Sequence, residues 1–198
     1  MGDVVTMDDL TNDEIIEILD CAERLVPVAR GDVILPLLDG KVLANMFFEN
    51  STRTRMSFET AMKRLGGSVL NFSSIGTSVA KGETLYDTMQ MIDGYADVAA
   101  IRHPRQGAAQ YSADAVEIPI LNAGDGAGNH PTQTMLDLFT IREAHGTLEG
   151  LNVVLVGDLR YGRTVHSLSH ALVRFGARLT LVSPNTLRMP DEIVSDLR

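Results

Sequence analysis

The stretch KVLANMFFENSTRTRMSFETAMKRLGG, Lys41–Gly67, decides the fold class. Lys41 to Phe48 is a short, nearly continuous apolar run and reads as a buried strand. A polar turn follows, and Ser57 to Leu65 then takes up helical spacing until Gly66-Gly67 closes it. Working outward, the same alternation recurs. Upstream, Thr11-Asn12-Asp13-Glu14 reads as a capping box: Thr11 accepts from the third helical amide and Glu14 reaches back. Ile15, Ile18, Leu19, Ala22 and Leu25 then line one face of a helix that ends near Gly31. Downstream, the pattern predicts a strand over 68–72, a loop over 73–82 and a helix over 83–95. A strand over 97–102, a helix over 107–113, a strand over 118–122 and a helix over 131–145 follow, the last with Pro131 at its tolerated first position.

After Gly146 to Gly150 the pattern restarts, with a strand over 151–156, a helix over 164–175 and a strand over 179–182. This break marks a domain boundary, giving units over 1–146 and 147–198. The fold class is therefore α/β, a parallel sheet flanked by helices followed by the start of a second, doubly wound α/β domain. In such sheets ligands sit beyond the carboxyl ends of the strands, so functional residues are expected just after strands.

Composition bounds the function. The 198 residues are 44% hydrophobic and 22% charged, a folded composition. No stretch reaches the roughly 18 consecutive apolar residues of a membrane span, and the acidic N-terminus lacks the basic start of a signal peptide. A cytoplasmic protein without a membrane partner is expected. The net charge of -9 argues against a general nucleic-acid binder. The single cysteine, Cys21, lies in a helical pattern where a buried thiol is the expectation.

Three turns carry candidate chemistry. Glu49 to Arg55 (ENSTRTR) puts hydroxyls and guanidiniums at a helix start, where free amides, the helix dipole and the arginine forks suit a phosphate. The bland alternative is an ordinary Ser/Thr cap with solvated arginines. Asn122 to Gln133 (NAGDGAGNHPTQ) lies between a strand and a helix, so that His130 and Gln133 point from the helix start and His130 can donate to a developing oxyanion. A lone capping histidine is more often structural. Arg102 ends a strand and can reach the same crevice, whereas His103 has no distinguishing context, and His145, His166 and His170 read as structural or surface residues. The turn Val156 to Thr164 (VGDLRYGRT) lacks the dinucleotide spacing, no nucleoside triphosphate loop occurs, and Arg163 is then a carboxylate candidate, although this segment taken alone reads better as an exposed charge at a helix start. Metal-ligand clusters are absent from the sequence pattern.

Together FFENSTRTRMSFETAMKRLGG, TSVAKGETLYDT, AIRHPRQGAA, LNAGDGAGNHPTQTMLDLFTI and VGDLRYGRTVHSL resemble the aspartate/ornithine carbamoyltransferase family. The Ser-Thr-Arg-Thr-Arg run marks the whole family. The Ser-x-x-Lys-Gly-Glu loop and the Gly-Asp-Leu-x-Tyr-Gly-Arg-Thr-Val-His run point to its aspartate branch. The resemblance implies a carbamoyl-phosphate-binding domain over 1–146 and the incomplete N-terminal part of an aspartate-binding domain over 147–198. It implies transfer of the carbamoyl group of carbamoyl phosphate to the amino group of L-aspartate, on the way to pyrimidines, with no cofactor and no metal. Ser51, Thr52, Arg53 and Thr54 would hold the phosphate, joined by Ser78 and Lys81 from a neighbouring subunit of a homotrimer with shared active sites. Thr54, Arg102 and His130 would polarise the carbonyl, Gln133 would orient the carbamoyl amide, and Lys81 with Arg163 would bind aspartate carboxylates. Glu49 would position Arg163 when the domains close. A regulatory chain is a further partner that the resemblance allows.

The resemblance also implies family chains that run on past the position of Arg198, so the 198-residue chain alone is expected to be weakly active or inactive. Two other readings remain open at this point: a carbamoyltransferase for ornithine or another amine, which Lys81 and Arg163 disfavour, and a non-catalytic phosphate-binding module, which intact Arg53, Arg102 and His130 disfavour. The chain has 14 Arg against 3 Lys and 16 Asp against 10 Glu. This Asp-rich, Lys-poor balance suits a salty cytosol; a GC-rich genome would also favour Arg over Lys. If the salt reading holds, activity persists in molar KCl, whereas activity that peaks at low salt and falls steeply there sinks it.

Overall fold

The computed structural model describes residues 2–73, 82–126 and 128–197, with the side chains of Ser73 and Arg163 excepted. The predicted alternation is present. Helix α1 (Asn12–Arg30) begins at the predicted capping box, with Thr11 accepting from the Glu14 amide, and stops at Gly31, whose φ of 87° only glycine adopts easily. Then come β1 (Val42–Phe47), α2 (Thr52–Arg64), β2 (Ser68–Ser73), α3 (Leu85–Asp93), β3 (Val98–His103), α4 (Ala108–Ala113), β4 (Ile120–Asp125) and α5 (Pro131–His145). The second unit holds β5 (Asn152–Val156), α6 (Arg163–Arg174), β6 (Arg178–Val182) and α7 (Asp191–Asp196).

Two boundaries differ from the sequence reading, each for a local reason. Helix α2 starts at Thr52, five residues before Ser57, because the hydroxyl-rich turn is itself the first helical turn. Strand β4 runs on through Asp125, where glycines had suggested a loop. Its register against β3 slips between Ile101 and His103, so that β4 carries an extra residue in a bulge and Asp125 still pairs with His103. Cys21 is exposed, which corrects the expected buried thiol. Ile15 and Leu19 are the core residues of the first two turns of α1, and Cys21 falls on the opposite side from them. The expected loop over 73–82 lies largely outside the described residues.

Four strands form one parallel sheet in the order β2-β1-β3-β4, and Val4 adds a short parallel bridge beside Leu121 on the β4 edge. Strand β2 lies on one side of β1 and β3 on the other, so the chain reverses its winding direction at β1. That switch point opens a crevice beyond the carboxyl ends of β1 and β3, where Phe47 pairs with Arg102. Side chains alternate across the sheet: Ala44, Met46, Ala99 and Ile101 pack with Met89 and Ile92 of α3 and Ala109 of α4, while Leu43 and Ala100 pack with Met62 of α2. Both faces are covered, as a parallel sheet requires.

The second sheet is the parallel pair β5-β6. Its core is continuous with that of the first unit, because Ile15 and Leu19 of α1 and Leu138 of α5 share one cluster with Leu155 of β5 and Leu168, Ala171 and Leu172 of α6. Arg174, at the end of α6, fastens this joint. Its Nε donates to Asn12 Oδ1 at 2.9 Å, one terminal nitrogen to the Met7 carbonyl at 2.8 Å and the other to the Leu10 carbonyl, while Asn12 Nδ2 donates back to the Arg174 carbonyl at 3.0 Å. At the carboxyl edge of the first sheet, His103 stacks against Phe48, which also stacks against Phe72, and the Arg105 amide donates to His103 Nδ1 at 3.0 Å.

Two measurements check this account. Arg174→Ala removes three charge-assisted hydrogen bonds across the joint, and chemical denaturation is expected to show a loss of about 2–3 kcal/mol; wild-type stability would mean the apolar cluster holds the joint alone. Burial, reinforced by the nearby Arg105 charge, pushes the His103 imidazole below its ordinary value. A histidine with a depressed folded pKa binds fewer protons folded than unfolded, so its contribution is lost as pH falls from about 6.5 toward the folded value. NMR is expected to find His103 titrating below 6.5, and His103→Gln to reduce the acid-induced drop in stability; a His103 titration at or above 6.5 overturns this.

Candidate functional site

Helix α2 begins where β1 ends, and its N-terminus is left open. Ser51 occupies the cap position in an extended conformation (φ -154°, ψ 114°), yet its side chain makes no capping hydrogen bond and no acidic residue stands in the first turn. Helix α5 begins likewise after β4, with His130 at the cap, Pro131 at the first position, no side-chain cap and no acid in the first turn. Helix α6 repeats the pattern behind Gly162. The contrast lies in α1 and α3, whose N-termini are closed by Thr11 and Thr84 and carry acids in their first turns. Open amides and an uncompensated dipole make the first three helix starts attractive to an anion, and the Ser51 hydroxyl is not consumed by the helix it caps. That disposes of the ordinary-cap alternative for Ser51.

The three helix starts meet in one cleft of about 820 Å³. Of the residues singled out in the sequence, Ser51, Thr52, Arg53, Thr54, Arg102, His130 and Gln133 all line it. They come from the carboxyl end of β3 and from the segments that follow β1 and β4. Thr164 of α6 completes the wall from the second unit, joined by Asn50, Ser57 and Thr132, which sequence reasoning left aside. Leu136, Phe58 and Ala61 supply its apolar part. Ser78 and Lys81 lie outside the described residues, and for Arg163 only the backbone position, at the start of α6, is described.

Arg102 is the most constrained cation of the cleft. Its side chain is only 11% exposed; one terminal nitrogen reaches Glu49 Oε1 at 3.1 Å and the other the Ala123 carbonyl at 3.3 Å. That carbonyl belongs to the β4 bulge. Arg102 Nε is buried with no hydrogen-bond partner among the described residues. Glu49 thus sits on Arg102 in this structure. Arg53 makes no ion pair among the described residues, which leaves its fork for a ligand. Buried His130 has its Nδ1 at 3.4 Å from the Thr132 hydroxyl. Gln133 Nε2 donates to Asp137 Oδ1 at 3.0 Å. Burial pushes the Asp137 carboxyl above its ordinary value, and the bond from Gln133 works in the opposite direction.

A scaffold beneath the cleft was not foreseen in the sequence reading. Asp125 is buried; its Oδ1 accepts from the Asn129 amide at 2.9 Å and from Asn122 Nδ2 at 3.3 Å, and its Oδ2 accepts from the Gly107 amide at 2.8 Å. One carboxylate therefore ties the loop carrying His130 to the loop after β3. Asn122, fully buried, also donates to the Val5 carbonyl at 2.9 Å and accepts from the Gly124 amide at 2.8 Å. On the other side, buried Asn45 of β1 donates to the Arg55 carbonyl in α2 and to Asn71 Oδ1, both at 3.1 Å, and Asn71 donates to Glu59 Oε2 at 3.0 Å. The available signal was a polar residue inside an apolar strand run, since such groups are buried only when hydrogen-bonded.

The arrangement can hold a phosphate at the start of α2, with Arg102 and His130 lining the same cleft. Comparisons with known proteins agree with that chemistry. Residues 3–143 match the family described as aspartate/ornithine carbamoyltransferase, carbamoyl-P binding domain. The aspartate carbamoyltransferase catalytic subunit of Methanothrix thermoacetophila is 58% identical over 196 residues, covering 98% of this chain and 64% of that protein. The corresponding subunit of Archaeoglobus fulgidus is 52% identical over the whole chain and 66% of its own length. Among solved structures, the M. jannaschii aspartate transcarbamoylase catalytic subunit aligns with a TM-score of 0.93 at 50% identity, over 100% of this chain and 65% of that one. Aspartate transcarbamoylase from Trypanosoma cruzi, solved in complex with carbamoyl phosphate and aspartate, aligns with a TM-score of 0.94 at 42% identity, over 99% and 62% of the two chains. The chain thus spans about two thirds of the length of these relatives. With residues 3–143 matched to the carbamoyl phosphate domain and the whole chain superposing on a catalytic subunit, the chain belongs to the aspartate/ornithine carbamoyltransferase family.

Proposed function

We propose that this chain supplies the carbamoyl phosphate site of an aspartate carbamoyltransferase, which transfers the carbamoyl group to the amino group of L-aspartate and yields N-carbamoyl-L-aspartate and phosphate. The observation that carries this reading is the convergence of Ser51–Thr54, Arg102, His130 and Gln133 at three open helix N-termini. The α2 amides, the hydroxyls of Ser51, Thr52 and Thr54, and the Arg53 fork bind the phosphate. Arg102, His130 and Thr54 donate to the carbonyl oxygen. The aspartate amine attacks the carbamoyl carbon, the carbonyl becomes an oxyanion held by those donors, and the carbon–oxygen bond to phosphate then breaks. The leaving phosphate accepts the proton that the amine loses, so no protein base is needed, and catalysis rests on orientation and electrostatic stabilisation.

Residues 1–146 act as the carbamoyl-phosphate-binding domain and 147–198 as the opening of the aspartate-binding domain. The β5-β6 pair supports the second assignment: one face joins the core, while Val154, Val156 and Val182 on the other are exposed, in a sheet type normally covered on both sides. Lys81 and Arg163 bind the aspartate carboxylates, and Glu49, now on Arg102, positions Arg163 when the domains close. Ser78 and Lys81 act in the site of a neighbouring copy within a homotrimer, to which a regulatory chain can add. The place of action is the cytoplasm, in pyrimidine synthesis; no described helix is long and apolar enough to cross a membrane.

Calorimetric titration tests the reading. Carbamoyl phosphate is expected to bind saturably and more tightly than inorganic phosphate, and Arg53→Ala to weaken it at least tenfold, the scale of a lost charge-assisted hydrogen bond. A folded chain that prefers neither ligand, or an Arg53→Ala variant that binds as the wild type does, overturns it. Equal affinity for the two ligands would favour a plain phosphate-binding module.

A further inference from the structure

Gln133 lines the cleft, but the residue that decides which end of its amide faces inward lies outside the cleft wall. Asp137 stands one turn later on α5, and its Oδ1 takes the Gln133 Nε2 hydrogen bond at 3.0 Å. An ionised carboxylate accepts hydrogen bonds and cannot donate them, so it fixes the otherwise ambiguous orientation of a glutamine amide. With Nε2 committed to Asp137, Oε1 is the end of the amide left for another partner, and no described residue hydrogen-bonds to it. The cleft is otherwise rich in donors: Ser51 to Thr54, Arg102 and the open helix amides all present hydrogen. Gln133 Oε1 is an acceptor set among them.

We infer that Asp137 is a positioning residue that sets acyl-group specificity, by holding Gln133 with its carbonyl oxygen toward the cleft so that it accepts from an N–H-bearing acyl group. The inference rests on the proposed reading of the cleft as a carbamoyl phosphate site. Carbamoyl and acetyl phosphate share the phosphate and the carbonyl and differ only in an NH₂ against a methyl group. Every contact from Ser51 to Thr54, Arg102 and His130 is therefore common to both, and the ratio of their affinities isolates what Gln133 contributes. An acceptor facing the NH₂ gains a hydrogen bond, whereas the same acceptor facing a methyl group is desolvated without one.

Asp137→Asn keeps the shape and can either donate or accept, so it releases the Gln133 amide to turn over. The expected result is unchanged affinity for inorganic phosphate and about a tenfold fall in the preference for carbamoyl over acetyl phosphate, the worth of one hydrogen bond. Asp137→Glu, which remains an acceptor, keeps the preference, and Asp137→Gln loses it. This second pair decides the matter if Asp137→Asn disturbs the fold and inorganic phosphate binding with it. A wild-type preference in both amide variants overturns the inference while leaving the carbamoyl phosphate reading intact. A wild-type chain that binds carbamoyl phosphate no better than inorganic phosphate overturns both.

Discussion

Three helices that start at the same cleft with uncapped amides and no acidic first turn impose the constraint on which the site depends. Each brings partial positive charge and unsatisfied donors to one place, an arrangement that is unfavourable until an anion occupies it. The parallel sheet brings α2 and α5 together: its strands all run the same way, so each following helix starts at the same edge, and the reversal at β1 parts the loops there, while α6, which follows β5 of the second sheet, is brought in by the shared core. The chain closes α1 and α3 with threonine caps and nearby acids, whereas the helices that border the cleft, like the short α4, carry neither.

Holding three open loops in register requires rigid support, and buried polar side chains provide it. Asp125 joins the loops after β3 and β4, Asn122 fastens β4 to the N-terminal segment, and Asn45 with Asn71 ties the first turns of α2 to the sheet. A buried carboxylate or amide is costly unless its partners are met, and this cost keeps such a network in one geometry. The β4 bulge belongs to the same scheme. It turns the Ala123 carbonyl toward Arg102, so the strand irregularity and the position of the central cation are one feature.

The second unit contributes by its placement. Arg174 spans from α6 to the N-terminal segment, and α5 carries His130 and Gln133 at one end while Leu138 packs into the core shared with α6. Thr164 is therefore set against the wall of the cleft by the same contacts that stabilise the joint. Helix α5 thus borders the cleft at its first turn and the core shared with the second unit farther along.

Local regularities made much of this molecule legible in its sequence. The capping box at Thr11 to Glu14, the glycine stop at Gly31, the apolar run of β1 and the start of α5 at Pro131 are short-range effects, set by hydrogen bonds and backbone preferences within a few residues. The candidate residues from Ser51 to Thr54, with Arg102, His130 and Gln133, were readable because the edge of a parallel sheet is where such loops fall. Partnerships between residues far apart in the chain were not legible. That Glu49 pairs with Arg102, that Asp125 accepts from Gly107, and that Cys21 faces outward depend on how strands shift in register and which helix face meets another. By itself the sequence determined the order of the elements, their caps and the donors offered to a phosphate. Tertiary structure alone decided which of those donors are held, by what, and pointing where, because hydrogen-bond geometry across a packed core is fixed only when the distant partners arrive together.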